Sequence, residues 1–290
     1  MSMVSEMIGK LKTYGNLVMF SHTLFSLPFA MVAMLWAAQG IPSLWTFIWI
    51  LLALVGARNG ANAINRLVDR NIDAKNPRTA GRHLPSGQVN VREVIGLIIA
   101  CFALYLLAAF MLNPLCVVLS PLPVIIFLLY SYTKRFTWAC HLVLGIACGG
   151  APVGAWIAVK GNIGWASLVL GAVVTLWIAG FDIIYAVQDV KFDREEDLFS
   201  IPSIFGVKNA LMISTLFHIV AVGMLLYLYF YRDLGWLYLA GLGIVGILLA
   251  IEHIMVSPHN MRNVKIASYS INQIVSVVFF VFTALDLFVK

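Results

Sequence analysis

Charged residues are scarce in this chain, and that scarcity excludes an ordinary soluble fold. Only 11% of its 290 residues are charged and 61% are hydrophobic, whereas soluble domains are about 25% charged and about 45–50% apolar. The formal net charge is +6, but the basic residues fall in short stretches between apolar runs, where they set orientation in a membrane. We therefore predict an integral membrane protein in contact with lipid, and no nucleic-acid partner.

Cysteine is equally sparse, and its placement does not support a disulfide framework or a zinc site. The four cysteines lie in or beside apolar stretches, without a Cys-x-x-Cys pair or a histidine at ligand spacing: Cys101, Cys116, Cys140 and Cys148. We interpret them as small apolar packing residues. Residues 1–14 lack a small-residue cleavage site after a short apolar core, so we expect an amphipathic N-terminal segment that is retained and not a signal peptide that is removed.

Long apolar runs are what the chain has in abundance. A transmembrane helix needs about 20 apolar residues. The segments that meet this need cover residues 16–38, 43–66, 93–112, 115–132, 138–159, 163–186, 209–231, 235–256 and 268–288. We predict an all-α membrane protein of nine transmembrane helices, forming a single domain over residues 1–290. Two longer polar loops are expected near residues 67–92 and 187–208.

The loop charges predict how this bundle lies in its membrane. With nine spans, all of the 19 Lys and Arg residues except Lys160, Arg232 and Lys290 fall on one side. Basic residues accumulate on the cytoplasmic side of membrane proteins. We therefore predict that the N-terminus and both long polar loops are cytoplasmic.

Carboxylates recur every four residues at the ends of the second and sixth spans. We call Asn65, Asp69 and Asp73 the first ledge, and Asp182, Tyr185, Asp189 and Asp193 the second ledge. Residues four apart lie on one face of a helix, and buried carboxylates are costly unless a cation compensates them. Oxygen ligands suit Mg²⁺, which keeps part of its shell for phosphate. We predict that the two ledges hold a diphosphate through Mg²⁺.

Further polar residues complete this predicted site. Arg58 and Asn62 extend the first ledge into the membrane at helical spacing, where polar side chains normally face a bundle interior or a cavity. Four cations near the ledges could bind the diphosphate, namely Lys134, Arg135, Arg78 and Arg82. For Lys134 and Arg135, the alternative is that they anchor the cytoplasmic end of a helix and so set its orientation in the membrane. A diphosphate site inside a membrane indicates a lipidic substrate. A secondary transporter is the alternative, but its polar residues usually lie near the bilayer midplane.

Four motifs in order along the chain resemble those of the UbiA superfamily of intramembrane aromatic prenyltransferases. They are Asn65-x-x-x-Asp69-x-x-x-Asp73, Arg78-Thr79-x-x-Arg82-x-Leu84-Pro85-Ser86-Gly87, Tyr132-Thr133-Lys134-Arg135 and Tyr185-x-x-x-Asp189-x-x-x-Asp193. The nine predicted spans fit the same family. The resemblance implies a helical bundle around a central cavity that opens sideways to lipid.

The resemblance also implies roles for individual residues. The metal ligands would be Asn65, Asp69, Asp73, Asp189 and Asp193, and the diphosphate contacts would be Lys134, Arg135, Arg78, Arg82, Asn65 and Tyr185. Asp69 and Asp189 are the strongest catalytic candidates, while Arg58 and Asp182 either pair across the cavity or orient the acceptor. In the implied reaction, loss of diphosphate gives an allylic cation, which an electron-rich phenolic ring attacks while the protein stabilises the leaving diphosphate.

Two shorter strings resemble one bacterial branch of this superfamily. They are His22-Thr-Leu-Phe-Ser-Leu-Pro28-Phe-Ala30 and Gln188-Asp-Val-Lys-Phe-Asp193, the latter with Ser200-Ile-Pro202. The branch implies transfer of a polyprenyl group from polyprenyl diphosphate to an aromatic acid such as 4-hydroxybenzoate in quinone biosynthesis, at the bacterial inner membrane. Some members are similar to the enzyme that prenylates 1,4-dihydroxy-6-naphthoate on a menaquinone route. The second motif lacks the dense acidic run of the best-known 4-hydroxybenzoate enzymes, so both acceptors stay open. His22 either packs at a helix end or approaches the acceptor.

Overall fold

Nine long helices account for most of the described chain. The computed structural model describes residues 13–18, 23–258 and 260–289, so His22 lies outside the described residues. The helices in that part are α1 (Thr23–Ala38), α2 (Leu44–Val68), α3 (Val91–Leu112), α4 (Pro114–Thr133), α5 (Cys140–Lys160), α6 (Trp165–Ala186), α7 (Ile201–Tyr231), α8 (Trp236–Met255) and α9 (Asn272–Val289). The short helices Arg70–Lys75 and Val190–Glu195 follow α2 and α6.

These helices correspond to the nine predicted spans and confirm the all-α membrane fold. Helices α2 to α8 are long and apolar enough to cross a membrane, as is α9 together with the preceding π-helical turn Ile266–Ile271. The apolar part of α1, Phe25–Ala38, is shorter. Helix α4 is interrupted at Ser120, and Pro121 begins its second segment, because proline lacks the N–H that would continue the ladder.

The polar loops are more helical than the sequence predicted. Helix α7 begins at Ile201 and not at residue 209, so the prediction of a loop over 187–208 is wrong. Ser200 caps this helix by accepting a hydrogen bond from the Ser203 N–H at 3.2 Å, and Pro202 follows in the first turn, where its missing N–H costs nothing. The chain then kinks at Gly206, whose φ of 78° is in the region that favours glycine.

Helix α6 is the central helix of the bundle. Its side chains are buried along most of its length, and it packs against α5, α7 and α1. Its contact with α5 is a contact of backbones: a Cβ added at Gly145 would lie 2.2 Å from the Thr175 carbonyl oxygen, and one at Gly149 would lie 2.4 Å from the Gly171 oxygen. Small residues allow such close approach in membranes, where dispersion contacts hold helices together. This contact fixes the depth at which α5 and α6 present their polar ends.

Replacing Gly145 with valine is expected to destabilise the protein by separating α5 from α6. Overpacking of this kind costs about 1–3 kcal/mol, so the midpoint of thermal unfolding in detergent should fall. Gly150→Val is the matched control, because a Cβ at Gly150 on the same helix meets nothing within 4 Å. Equal midpoints for the two variants would contradict the backbone contact.

Candidate active site

A polar chamber of about 170 Å³ lies at the ends of α2, α4 and α6 and the start of α5. It brings together most of the predicted site residues, although they come from four separate parts of the chain. Those that line it are Asn65, Asp69, Asp73, Arg78, Arg82, Lys134, Asp182, Tyr185, Asp189 and Asp193. The two ledges therefore face a shared space.

Each ledge is built on a break in its helix. Asp69 separates α2 from the short helix Arg70–Lys75, with φ −88° and ψ 2°. Asp189 separates the end of the α6 segment from the short helix Val190–Glu195, with φ −102° and ψ 2°. Both residues lie in the sparsely populated bridge region, where many active-site residues are found. The first ledge is thus not the uninterrupted helix that its spacing predicted.

The first ledge is neutralised by cations from α4 and from the loop after α2. Asp69 is only 3% exposed, and its two oxygens lie 2.6 Å from Lys134 Nζ and 3.0 Å from Arg135 Nη2. Asp73 pairs with Arg82 at 2.6 Å through Oδ1, and its Oδ2 is buried without a hydrogen-bond partner. A buried carboxylate oxygen without a partner is costly, so Asp73 retains the capacity to bind a further cation.

The second ledge is reached from the opposite loop by Arg78. Its Nε and Nη2 donate to both oxygens of Asp189, at 2.9 and 2.5 Å, and its Nη1 donates to the Tyr185 hydroxyl. Burial lowers the pKa of Arg78, but the hydrogen bond and charge of Asp189 outweigh burial and raise that pKa above its usual value. This paired geometry is the one in which Arg recognises carboxylate or phosphate best. Arg78 therefore links the two ledges.

Sequence analysis missed several residues that hold this arrangement. Asn76 donates to Asp189 Oδ1 at 3.0 Å and accepts from the Arg78 N–H, and Ser200 donates to Asp193 at 2.8 Å. His141 lines the chamber, and its Nδ1 lies 2.7 Å from Asp182 Oδ2. For Asn76 and His141 no spacing signal exists, because Asp189 and Asp182, their carboxylate partners, are distant in the sequence.

An apolar cavity of about 790 Å³ adjoins the chamber along the same helices. Its lining comes mainly from α2, α3, α4, α5 and α6. Phe127 lines the cavity and Ser131, one turn later on α4, lines the chamber. Leu122 and Ile146 stand at its edge and are about half exposed, so the cavity opens toward the side of the bundle that faces lipid. Its volume lies in the range of small-molecule sites.

Arg58 lies in the apolar cavity and not in the polar chamber. Its Nη1 donates to Cys148 Sγ at 2.9 Å, and its Nε is buried without a partner. Of the two alternatives for Arg58 and Asp182, pairing with each other is not what the structure shows, since Asp182 accepts from His141. Arg58 precedes Asp69 by three turns of helix, a rise of about 16 Å, which explains why one helical face serves two different spaces. Asn62 turns away to Val18, donating to its carbonyl oxygen at 2.6 Å.

The ledges fit the ligand preference of Mg²⁺. Within the described residues, no three of the His, Cys, Asp and Glu side chains lie close enough together to hold a metal ion by themselves. Mg²⁺ does not need such a cage, because it is usually held by one or two carboxylates with phosphate oxygens and water completing the shell. The unpartnered Asp73 Oδ2 and the carboxylates on both sides of the chamber meet that requirement.

Comparisons with known proteins agree with this geometry. The model of the UbiA prenyltransferase family matches residues 26–281. The 4-hydroxybenzoate octaprenyltransferase of Vibrio campbellii is 32% identical over 79% of this chain and 81% of its own length, and that of Vibrio vulnificus is 28% identical over 97% and 98%.

Solved structures agree as well. A UbiA homolog from Aeropyrum pernix K1 superposes with a TM-score of 0.84 at 33% identity, covering 92% of this chain and 98% of that one. A UbiA homolog from Archaeoglobus fulgidus bound to GPP and Mg²⁺ shares the fold, with a TM-score of 0.70 at 20% identity over 95% and 99%.

Proposed function

The chain belongs to the UbiA prenyltransferase family, and from that premise we propose that it transfers a polyprenyl group from polyprenyl diphosphate to an aromatic acid, such as 4-hydroxybenzoate, in quinone biosynthesis. The observation that carries this proposal is the succession of two spaces along shared helices. A chamber of cation-paired carboxylates adjoins an apolar cavity that opens toward lipid. A lipid with a diphosphate head and an isoprenoid tail has the same division of polarity.

The diphosphate head would lie between the two ledges. Lys134, Arg82 and Arg78 now pair with carboxylates of the chamber, and their donors match phosphate oxygens as well as carboxylates. Asn65, Asp69 and Asp73 on one side and Asp189 and Asp193 on the other would hold Mg²⁺. Bound there, Mg²⁺ supplies charge that stabilises the departing diphosphate.

This chain's residues then favour ionisation in two ways. Lys134, Arg135 and Arg78 place fixed positive charge where negative charge develops as the carbon–oxygen bond breaks, which stabilises the transition state more than the ground state. The apolar lining of the adjoining cavity keeps water from the allylic cation, so that a ring and not a water molecule captures it. The two spaces thus divide the reaction between charge stabilisation and protection.

Arg58 would orient the acceptor by its carboxylate. A guanidinium with an unpartnered Nε, set in an otherwise apolar cavity, is costly without an anion beside it. The carboxylate of an aromatic acid would supply that anion and would place the ring against the cavity wall, next to the chamber. 4-Hydroxybenzoate and 1,4-dihydroxy-6-naphthoate both carry such a carboxylate and a phenolic hydroxyl.

Replacing Arg58 with methionine is expected to raise the KM for 4-hydroxybenzoate by about 10- to 100-fold, the loss of one hydrogen bond to a charged group. The KM for polyprenyl diphosphate should not change. The measurement is steady-state prenylation in membranes, with 4-hydroxyacetophenone as an acceptor that lacks the carboxylate. For that acceptor the variant and the wild type should have similar KM values.

The matched control is Arg70→Met, which removes an exposed arginine that, among the described residues, donates to the Leu67 carbonyl oxygen. An unchanged KM for 4-hydroxybenzoate in the Arg58 variant would assign Arg58 a purely structural role.

The direct test of the proposed function is a competition assay. Membranes containing the full chain receive Mg²⁺, a long polyprenyl diphosphate, and 4-hydroxybenzoate together with 1,4-dihydroxy-6-naphthoate. We expect one prenylated aromatic acid as the main product, and its identity names the acceptor. Diphosphate release without any prenylated ring would contradict the proposal, and solute transport without diphosphate release would favour a transporter.

Orientation and extent are part of the same proposal. We place the N-terminus and both ledges on the cytoplasmic side of the bacterial inner membrane, because all but three of the 19 basic residues fall on that side. Residues 1–290 would act as one domain, since the chamber takes its lining from both halves of the chain. Cysteine labelling at each end of the spans would test the orientation.

A further inference from the structure

Arg232 lies at the end of the bundle opposite to the polar chamber, directly after the last residue of α7. Ser200, just before the first residue of the same helix, lines the chamber, and the helix between them rises by roughly 40 Å. The aromatic residues that flank Arg232 in the sequence, Tyr231 and Trp236, are exposed. Tyrosine and tryptophan concentrate where a membrane meets water, so Arg232 lies at the depth of lipid headgroups.

The Arg232 guanidinium is held in place by two indole rings. Its Cζ lies 5.0 Å from the ring centroid of Trp36, on α1, and 5.9 Å from that of Trp156, on α5. Trp156 is packed in turn against Gly164, because a Cβ at Gly164 would lie 2.3 Å from the indole ring. A guanidinium that stacks on aromatic faces keeps its N–H donors at its edge. These donors are therefore positioned before a ligand binds.

Two donors at this place are buried without acceptors. Arg232 Nε and Trp36 Nε1 each lack a hydrogen-bond partner, and Trp36 is only 1% exposed. Burial lowers the pKa of Arg232, and among the described residues Tyr231 alone raises that pKa, so no carboxylate offsets the burial. Ring faces compensate a buried charge only in part. Unsatisfied donors beside an uncompensated cation favour an acceptor that carries negative charge.

The carboxylates near this end of the bundle do not supply that acceptor. Asp286 is buried on α9, and its oxygens accept from the N–H groups of Gly235 and Tyr238, at 2.7 and 3.1 Å, where α8 begins. Asp233 follows Arg232 directly, but it is exposed and does not raise the pKa of Arg232. The acceptor that fits must therefore come from outside the described chain.

We propose that Arg232 and Trp36 form a binding site for the phosphate of an anionic membrane lipid. The edge of the guanidinium would donate to two phosphate oxygens, and Trp36 Nε1 would donate to a further one. Lys160 is exposed one turn after Trp156 on the same face of α5, and adds positive charge nearby. A lipid fits better than a free phosphate ion, because Phe230 is 71% exposed and offers apolar surface to acyl chains.

This site goes beyond the proposed function and does not depend on it. Arg232 and Trp36 line neither the polar chamber nor the apolar cavity. Under the proposed orientation, the lipid would belong to the outer leaflet. Because the site takes residues from α1 and α7 and packs against α5, a bound lipid would hold three helices together and stabilise the folded bundle.

The test is the binding of phosphatidylglycerol to the full chain in detergent, measured by native mass spectrometry and by the midpoint of thermal unfolding. Phosphatidylglycerol should raise the midpoint of the wild type, because a ligand that binds only the folded protein stabilises it. Diacylglycerol, which has the same acyl chains without the phosphate, should not. Arg232→Met should bind phosphatidylglycerol about 10- to 100-fold more weakly, through the loss of hydrogen bonds to a charged group.

Two further variants distinguish a phosphate site from a packing role. Trp36→Phe keeps a ring beside the guanidinium but removes the Nε1 donor, so it should also weaken the binding of phosphatidylglycerol, by about 10-fold. Arg262→Met is the matched control, because Arg262 is an exposed arginine at the opposite end of the bundle, between α8 and α9. Its affinity should equal that of the wild type. If Arg232→Met does not fold, Trp36→Phe decides the question.

Three results would overturn the proposal. They are equal affinity of the wild type and Arg232→Met for phosphatidylglycerol, equal rises in the midpoint with phosphatidylglycerol and diacylglycerol, and a rise with inorganic phosphate alone that matches the rise with phosphatidylglycerol. The last of these would assign the site to a free anion. Prenyl transfer is measured in a separate assay, so failure of the lipid site and failure of the proposed function are distinguishable.

Discussion

Alanine at position 69 or at position 189 is expected to abolish prenyl transfer while the protein still inserts and folds. Each carboxylate anchors one ledge: Asp69 lies between Lys134 and Arg135, and Asp189 holds Arg78. Under the proposed function, loss of either one would misplace the cations that stabilise the departing diphosphate and would remove a proposed ligand for Mg²⁺. Removing one such electrostatic contact costs about 10²–10³-fold in kcat, and each variant removes several at once.

The measurement is product formation per folded protein in membranes, with the folded amount taken from size-exclusion chromatography. Glu195→Ala is the matched control, because Glu195 is the last residue of the short helix Val190–Glu195 that follows Asp189, is well exposed and lies 3.8 Å from Lys191. This variant should keep the wild-type rate. Wild-type turnover in either aspartate variant would contradict the proposal that the two ledges together hold the diphosphate.

Removing divalent cations is the second change with a large expected effect. The five carboxylates of the ledges and a diphosphate cannot share a chamber of about 170 Å³ without compensation, since two like charges 4 Å apart repel by about 4 kcal/mol near a protein surface. Treatment with EDTA should therefore lower turnover to background, and added Mg²⁺ should restore it fully.

The control for this experiment is EDTA already saturated with Mg²⁺, which should leave the rate unchanged. Partial restoration by Mn²⁺ is also expected, because it takes oxygen ligands in an octahedral shell. A full rate in the presence of free EDTA would show that Lys134, Arg135, Arg78 and Arg82 suffice to hold the diphosphate.

The sequence predicted the fold, and it predicted many of the residues that line the chamber, because both depend on local patterns. Apolar runs locate the spans, and spacing of four brings Asn65, Asp69 and Asp73 to one face. The resemblance in four motifs, confirmed by the family match, located the basic residues. What the spacing did not predict is the start of α7, because Pro202, Gly206 and Lys208 give its first two turns the composition of a loop.

Pairing across the chamber could not be predicted from local patterns. Arg78 and Asp189 are separated by 111 positions, and His141 and Asp182 by 41, so their contact depends on how α5 and α6 pack. For the same reason, the sequence could not decide between the two alternatives for Arg58 and Asp182, and the structure shows them with different partners. The burial of individual side-chain atoms also depends on how the helices pack. Asp73 Oδ2 and His141 Nε2 are buried without hydrogen-bond partners, which no local pattern indicates.

A crystal structure of the protein with Mn²⁺ and a non-ionisable prenyl thiodiphosphate would examine the shared chamber most directly, because Mn²⁺ is visible by anomalous scattering. The account predicts Mn²⁺ peaks within about 2.0–2.2 Å of carboxylate oxygens on both ledges, at the spacing typical of such octahedral ions, with the diphosphate between them and Lys134 turned from Asp69 to phosphate. An analogue bound elsewhere, with Asp69 and Asp189 still held by Lys134 and Arg78 and no ion beside them, would contradict it.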